Sequence, residues 1–414
     1  MSLARTSVLS AISTAIRLLC GLIINKVVAV IGGPAGFALV SQLQNAFALT
    51  STLSAGAMSN GITILTARNE DDELEQQKFF ASTFLTVAAT SLPFALLGIV
   101  YAPYISALLL KNEDYFYVIV AAAVTIPLYA FGSMLTAIVT GKQDVGTLVS
   151  INIVSSLLTL ISVTVFAWMY GLPGALVATA TYQASLLLVA LWWLRHRPWL
   201  KLRQIVGQAA KTHAISLLRF MLMAGISGAC INLAQFAIRN HLIGKYGIES
   251  AGLWDTVNRI SMLNWSVMSA ILSVYLLPKL ASVFDETKLY YEIVLAMKYI
   301  MPIFILICLV LSLMADYLIL ILFTREFAGA ADFLPIQLLG DIARVFSWFY
   351  AYTLIARQHI KHYAAIEIVS NATFVAFAIL GSEMWGINSP VIANAVAFGL
   401  LAIYCGVKIQ TMAR

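Results

Sequence analysis

Apolar runs of twenty or more residues recur from one end of this chain to the other, and they decide what it can fold into. Roughly 20 apolar residues is the length at which a helix crosses the ~30 Å hydrocarbon core of a bilayer. Reading such runs against charged, Gly and Pro breaks predicts spans near 8–31, 37–66, 79–103, 115–140, 146–170 and 173–194, then 213–243, 251–278, 290–314, 331–356, 361–384 and 387–409. The stretch 315–324 either extends the ninth helix or dips back into the interface. Twelve crossings use nearly all of the 414 residues, which leaves no soluble catalytic head. Composition agrees, because a chain that is 61% hydrophobic and 11% charged, with a mean hydropathy of +0.89, is too apolar for soluble packing. The expected fold is an all-α integral membrane protein with about 12 transmembrane helices.

The charges set the topology. The first span follows Arg5 as a signal peptide would, but it exceeds 20 residues, carries Arg17 and lacks a small-residue cleavage site, so it is expected to stay attached. Fifteen of the 25 basic residues fall in loops on the side of the N-terminus, against only Lys111, Lys245 and Arg325 on the other. That bias predicts cytoplasmic termini. Dispersal of these charges among loops gives no basic face for nucleic acid. The acidic run Glu70 to Glu75 is read as a solvated cytoplasmic loop. Connection 195–212 holds five basic residues with Pro198, Trp199, Leu202, Ile205 and Val206, and is expected to lie as a basic amphipathic linker on the inner leaflet. It would join a six-helix bundle at 1–194 to a second at 213–414.

The two halves repeat each other. Gly141-Lys142-Gln143 and Ile151 to Ser156 return as Ala356-Arg357-Gln358 and Ile366 to Asn371, both at an offset of 215. Tyr170-Gly171-Leu172 returns as Trp385-Gly386-Ile387 at the same offset, and Lys26 with Ala35-Gly36-Phe37 as Arg239 with Ala251-Gly252-Leu253 at 213 and 216. Such recurrence at helix ends points to duplication. Six is even, so both copies enter the membrane in one orientation, with a pseudo-twofold axis along its normal and a cavity between them.

Seven basic residues sit within the predicted spans: Arg17, Lys26, Arg219, Arg239, Arg259, Lys298 and Arg344. Each would cost about 2.5–3.5 kcal/mol at a helix centre on insertion scales, so few are left facing lipid. Asp255 with Arg259, four apart, and Asp341 with Arg344, three apart, could neutralise each other on one helix face. Snorkelling accounts for Arg219 and is an open alternative for Lys298, Lys26 and Arg239. The matched positions of Lys26 and Arg239 favour a shared cavity, although Lys26 lies about half a turn around the helix from Arg17 unless the helix bends at Gly21. Gln42, Gln44, Asn45, Asn232, Gln235, Asn258 and Asn264 are either interhelical hydrogen bonders or the lining of a sugar-tolerant cavity. Cys20, Cys230, Cys308 and Cys405 have no short-spaced pairing, so neither a disulfide frame nor a metal site is expected.

A cavity rich in cations favours an anionic ligand. No GxxxxGK[ST] phosphate loop is present, which removes a built-in ATP motor, and no cofactor is expected. The duplicated architecture points to a secondary transporter. Met1-Ser2-Leu3-Ala4, Lys26 to Val30 leading into Gly33-Pro34-Ala35-Gly36, Ser273 to Leu280, and Gln337 to Asp341 with Ala356-Arg357 carry a resemblance over nearly the whole chain. In these segments the chain resembles the bacterial lipid III and O-antigen flippases of the multidrug/oligosaccharidyl-lipid/polysaccharide exporter superfamily. The resemblance implies a V-shaped inner-membrane protein that turns an undecaprenyl-diphosphate-linked oligosaccharide from the cytoplasmic to the periplasmic leaflet, within reach of a glycan polymerisation complex. Lys26, Arg239, Arg259, Arg17 and Arg344 would attract the diphosphate or acidic sugars, with Gln42 and Asn258 beside them. Asp341 and Glu367 are the candidate ion-coupling groups. A multidrug antiporter of the same superfamily is the nearest competing reading. A lipid-linked glycan polymerase is the competing enzyme, and the short outer loops, without an acid/base cluster, disfavour it.

Overall fold

The computed structural model describes residues 3–54, 56–69, 72–195, 197, 209–276, 279–280, 283, 285–357 and 359–411, with the side chains of 3–8, 223, 224, 227, 274 and 360 left aside. Helices stand over every expected span. In order they are α1 (Leu3–Ser54), α2 (Ser59–Arg68), α3 (Glu73–Val100), α4 (Ala102–Leu110), α5 (Phe116–Gly141), α6 (Val145–Thr181), α7 (Ser185–Leu194) and α8 (Lys211–Tyr246). There follow α9 (Ile248–Ile271), α10 (Glu286–Leu313), α11 (Ala315–Leu322), α12 (Leu334–Ala356), α13 (Ile360–Leu380), α14 (Ser382–Trp385) and α15 (Ser389–Thr411). Seven of the helical stretches are long and apolar enough to cross a membrane unaided by any other criterion. Large apolar side chains cover the outside, among them Leu96, Val100, Leu313 and Leu380, while Ser, Thr, Gln and Asp side chains are buried inside. That is the inverse of a water-soluble surface and the pattern lipid selects.

Backbone geometry brings out the duplication. Continuous helices α1 and α6 break at Gly33 and Gly171, whose φ values of 57° and 63° only glycine adopts without strain, each followed closely by a proline. Gly247 and Gly386, also at positive φ, make the matching turns in the second half at offsets of 214 and 215. The four turns divide the first helix of each copy from its second, and the fifth from its sixth. Helices α3 and α10 are equally matched, each 28 residues long, capped by the Asp72 and Asp285 carboxylates, and followed by a short helix. The residues 315–322 are thus a separate helix, α11, since the chain breaks at Met314 as its counterpart breaks at Tyr101.

One sequence expectation changes. The acidic run is not all loop: Asp72 accepts from the backbone N–H groups of Leu74 and Glu75, and Glu73 and Glu75 form the first turn of α3. Carboxylates there complement the helix dipole, which is why the helix begins six residues before the apolar run. Residues 70 and 71 lie outside the described residues. So does most of the expected amphipathic linker, of which Arg195, Arg197 and 209–212 are described.

By packing, the chain forms two compact units, one of residues 1–32 and 39–232, the other of residues 33–38 and 233–414. In the first, α5 is the central helix, and its Met134, Leu135 and Ile138 pack with Phe79 and Phe80 of α3, Ile62 of α2, Ala190 of α7 and Leu217 of α8. In the second, α12 takes the central place against α15, α10 and α9. Gly340 permits its close crossing with α15, because a Cβ at that position would stand 2.1 Å from Asn394 Nδ2.

Candidate functional site

The second unit holds a ladder of buried polar side chains. Gln235 and Arg239 are one turn apart on α8, and Asn258 and Asp255 nearly one turn apart on the antiparallel α9, so the four meet in register across the Gly247 turn. Gln235 Nε2 donates to Asn258 Oδ1 at 3.2 Å, and Asn258 Nδ2 donates back to Gln235 Oε1 at 2.6 Å. Beyond them, Arg239 Nε donates to Asp255 Oδ2 at 2.7 Å while its Nη2 reaches Oδ1. Both partners are almost fully buried, at 1% and 2% exposure. The guanidinium also lies 5.7 Å from the Trp254 ring centroid.

Spacing along a single helix does not give this pair. Asp255 is held by Arg239 from the neighbouring helix, a fork of guanidinium donors meeting the carboxylate in two parallel bonds across helices. Arg239 is therefore neutralised within its unit. Arg259 is half-buried with its guanidinium carbon 5.8 Å from the Phe37 ring, which itself meets Phe323 and Phe327 edge-on.

Deeper in the same unit, α9, α12 and α15 converge on Asp341. Ser261 Oγ donates to Asp341 Oδ1 at 2.8 Å, Gln337 Nε2 lies 3.2 Å from Ser261 Oγ, and Asn394 Nδ2 donates to the Gln337 carbonyl at 3.3 Å. Asp341 Oδ2 and Gln337 Oε1 have no hydrogen-bond partner among the described residues. The expected Asp341–Arg344 ion pair is not formed, since the carboxylate turns toward Ser261 and the arginine away from it. Arg344 is instead clamped between aromatic faces, 4.8 Å from the Trp265 ring centroid and 5.0 Å from that of Phe398. It shares a cavity of about 10 Å³ with Glu367 and Asn371, at the lower limit of what one water molecule needs. Asn371 Nδ2 donates to the Glu367 carbonyl at 2.8 Å. Ser261, Trp265, Gln337, Asn394 and Phe398 were invisible as site residues, for each is an ordinary helix residue until α9 and α15 are placed against α12.

The first unit places its three expected residues separately. Gln42 is fully buried, and neither end of its amide has a hydrogen-bond partner among the described residues, unlike Asn258 at the related position. Lys26 is half-buried and Arg17 exposed.

Known structures share this fold. The chain superposes on an inward-facing multidrug resistance MATE family transporter of the MOP superfamily with a TM-score of 0.81, at 16% identity, over 96% of this chain and 95% of that one. A MOP superfamily transporter from Pyrococcus furiosus gives a TM-score of 0.68 at 16% identity, over 99% and 96%. The chain shares the fold of these two structures. The chain belongs to the polysaccharide biosynthesis protein family, which matches residues 27–332. It is 28% identical over 378 residues to the lipid III flippases of Escherichia coli K12 and Shigella flexneri, covering 91% of both chains in each case.

Proposed function

We propose that this chain is a flippase that moves an undecaprenyl-diphosphate-linked oligosaccharide, a lipid III or O-antigen unit, from the cytoplasmic to the periplasmic leaflet of the bacterial inner membrane. The observation that carries the proposal is membership of the polysaccharide biosynthesis family together with a likeness to lipid III flippases along 91% of the chain. The task is transport, not bond chemistry. A diphosphate and stripped sugar hydroxyls each cost several kcal/mol in hydrocarbon, so crossing needs a polar path. Two six-helix bundles, 1–194 and 213–414 about the basic linker 195–212, would rock to open that path alternately to each side. Lys26, Arg17 and Arg259 are the cations assigned to the diphosphate, Gln42 and Asn258 supply amides for sugar hydroxyls, and Arg239 braces α8 against α9. Asp341 and Glu367, buried beside Arg344, are the groups assigned to ion coupling.

Loop charge supports cytoplasmic termini. Reporter fusions after residues 72, 202, 286 and 360 are expected to read as cytoplasmic and those after 112, 248 and 327 as periplasmic. A periplasmic signal at 202 would overturn the orientation. Lys26→Ala is expected to lower export about tenfold, as loss of a charge-assisted hydrogen bond of about 1.5 kcal/mol does, at unchanged membrane abundance, with Lys26→Arg tolerated. Accumulation of lipid-linked oligosaccharide in cells lacking the protein tests the substrate class. Wild-type glycan export with a loss of drug resistance would favour the multidrug antiporter.

A further inference from the structure

An open groove of about 590 Å³ runs between α10, α12 and α15 of the second unit, within the range of ligand clefts, about 300–1,000 Å³. Met297 and Lys298 of α10, Phe346 of α12 and Gly406 of α15 form its walls, with Tyr290 and Gln410 at one end. Its lining on α10 extends from Tyr290 to Ile305, about 22 Å of helix axis at 1.5 Å per residue. One leaflet of the hydrocarbon core is about 15 Å deep, so the groove has the length to take an acyl chain.

The duplication shows that the groove is a property of one copy. In the first unit, Phe84 of α3 stacks on Phe131 of α5 with ring centroids 4.8 Å apart. Helix α10 matches α3 at an offset of 213, which puts Met297 at the position of Phe84 and Lys298 at that of Leu85. At the offset of 215, Phe346 answers Phe131 and Gly406 answers Leu191. Replacing a stacked ring by Met and a Leu by Gly leaves the space unfilled. The cation is not needed by the fold, because Leu85 occupies the matched site at 55% exposure.

Lys298 is exposed and makes no ion pair with any described residue. Helical side chains lean toward the N-terminus of their helix, so its ammonium is directed toward the Tyr290 and Gln410 end, where exposed Lys288 and Lys408 stand. An apolar trough with a cation inside is complementary to an anionic lipid. We propose that this groove binds one anionic membrane phosphoglyceride, an acyl chain lying along Met297, Phe346 and Gly406 and the phosphate held by Lys298. The site is independent of the transported substrate.

Native mass spectrometry of the full chain released from nanodiscs of mixed phosphatidylglycerol and phosphatidylcholine tests the site. The wild type is expected to retain one phosphatidylglycerol in preference to phosphatidylcholine. Lys298→Gln is expected to reduce that preference about fivefold, the effect of one lysine near an anionic surface. Gly406→Leu is expected to abolish retention of either lipid: a Cβ there meets the Phe346 ring at an ordinary 3.6 Å, and the rest of the side chain fills the groove. If that variant does not fold, the Lys298→Gln result decides. Equal retention of both lipids by the wild type, retention of phosphatidylglycerol by Lys298→Gln at the wild-type level, or its displacement by an equimolar C55 polyprenyl phosphate would overturn the proposal.

Discussion

Asp255→Ala is expected to destabilise the protein by about 3–5 kcal/mol, the usual cost of stripping one partner from a buried ion pair and leaving the other charged. Arg239 would remain at 1% exposure with the Nε and Nη2 donors that now meet Asp255 stripped of that acceptor. The reciprocal ladder then loses its central rung, since the Gln235–Asn258 amide pair alone joins α8 to α9 at that level. Replacing both members, as Arg239→Met with Asp255→Leu, is expected to recover most of the loss, because well-packed apolar residues often match or exceed a buried pair. Thermal unfolding of the purified variants checks both statements. A single variant as stable as the wild type would mean that the pair carries no structural weight.

If proton movement drives transport, Asp341→Asn is expected to reduce export about tenfold or more while ligand binding persists, since coupling free energies of about 1–3 kcal/mol correspond to about 5–150-fold effects. The geometry isolates this carboxylate: one oxygen accepts from Ser261, and the other has no partner among the described residues. Arg344, only three residues away, is held between Trp265 and Phe398, beside the cavity that also contains Glu367. A rocking motion that moved α12 against α9 or α15 would bring the guanidinium nearer to one carboxylate or the other. Glu367→Gln is expected to act in the same direction. Export-linked proton flux in vesicles is the readout. Unchanged flux in both variants would reject these carboxylates as coupling groups and leave another ion or mass action as the driving force.

Much of this architecture is written in local signals. The apolar runs mark every crossing because lipid requires each span to satisfy its own backbone, and the turn at Gly171 recurs at Gly386 because the same positive-φ conformation is needed twice. Pairing between helices is another matter. Spacing rules join Asp255 to Arg259 and Asp341 to Arg344, since they see only one helix. The real partner of Asp255 lies sixteen residues upstream, where its approach depends on how the Gly247 turn sets α8 against α9. Likewise, Ser261 reaches Asp341 only where α9 packs against α12, and Asn394 reaches the Gln337 carbonyl where Gly340 lets α15 close on α12, facts of shape that no spacing encodes. The start of α3 was legible in principle: an Asp followed by two glutamates is a capping and dipole signal, masked by reading a charge run as solvated loop.

Reconstitution tests the central claim most directly. Purified protein in liposomes, supplied with a fluorescent undecaprenyl-diphosphate-linked oligosaccharide, is expected to move the label from the leaflet where it is accessible to a membrane-impermeant quencher to the one where it is protected. Transfer should be fast relative to protein-free vesicles, slowed by Lys26→Ala, and absent for a fluorescent cationic drug. Protection of the glycan lipid no faster than in empty liposomes, with the drug cation transported instead, would contradict the account.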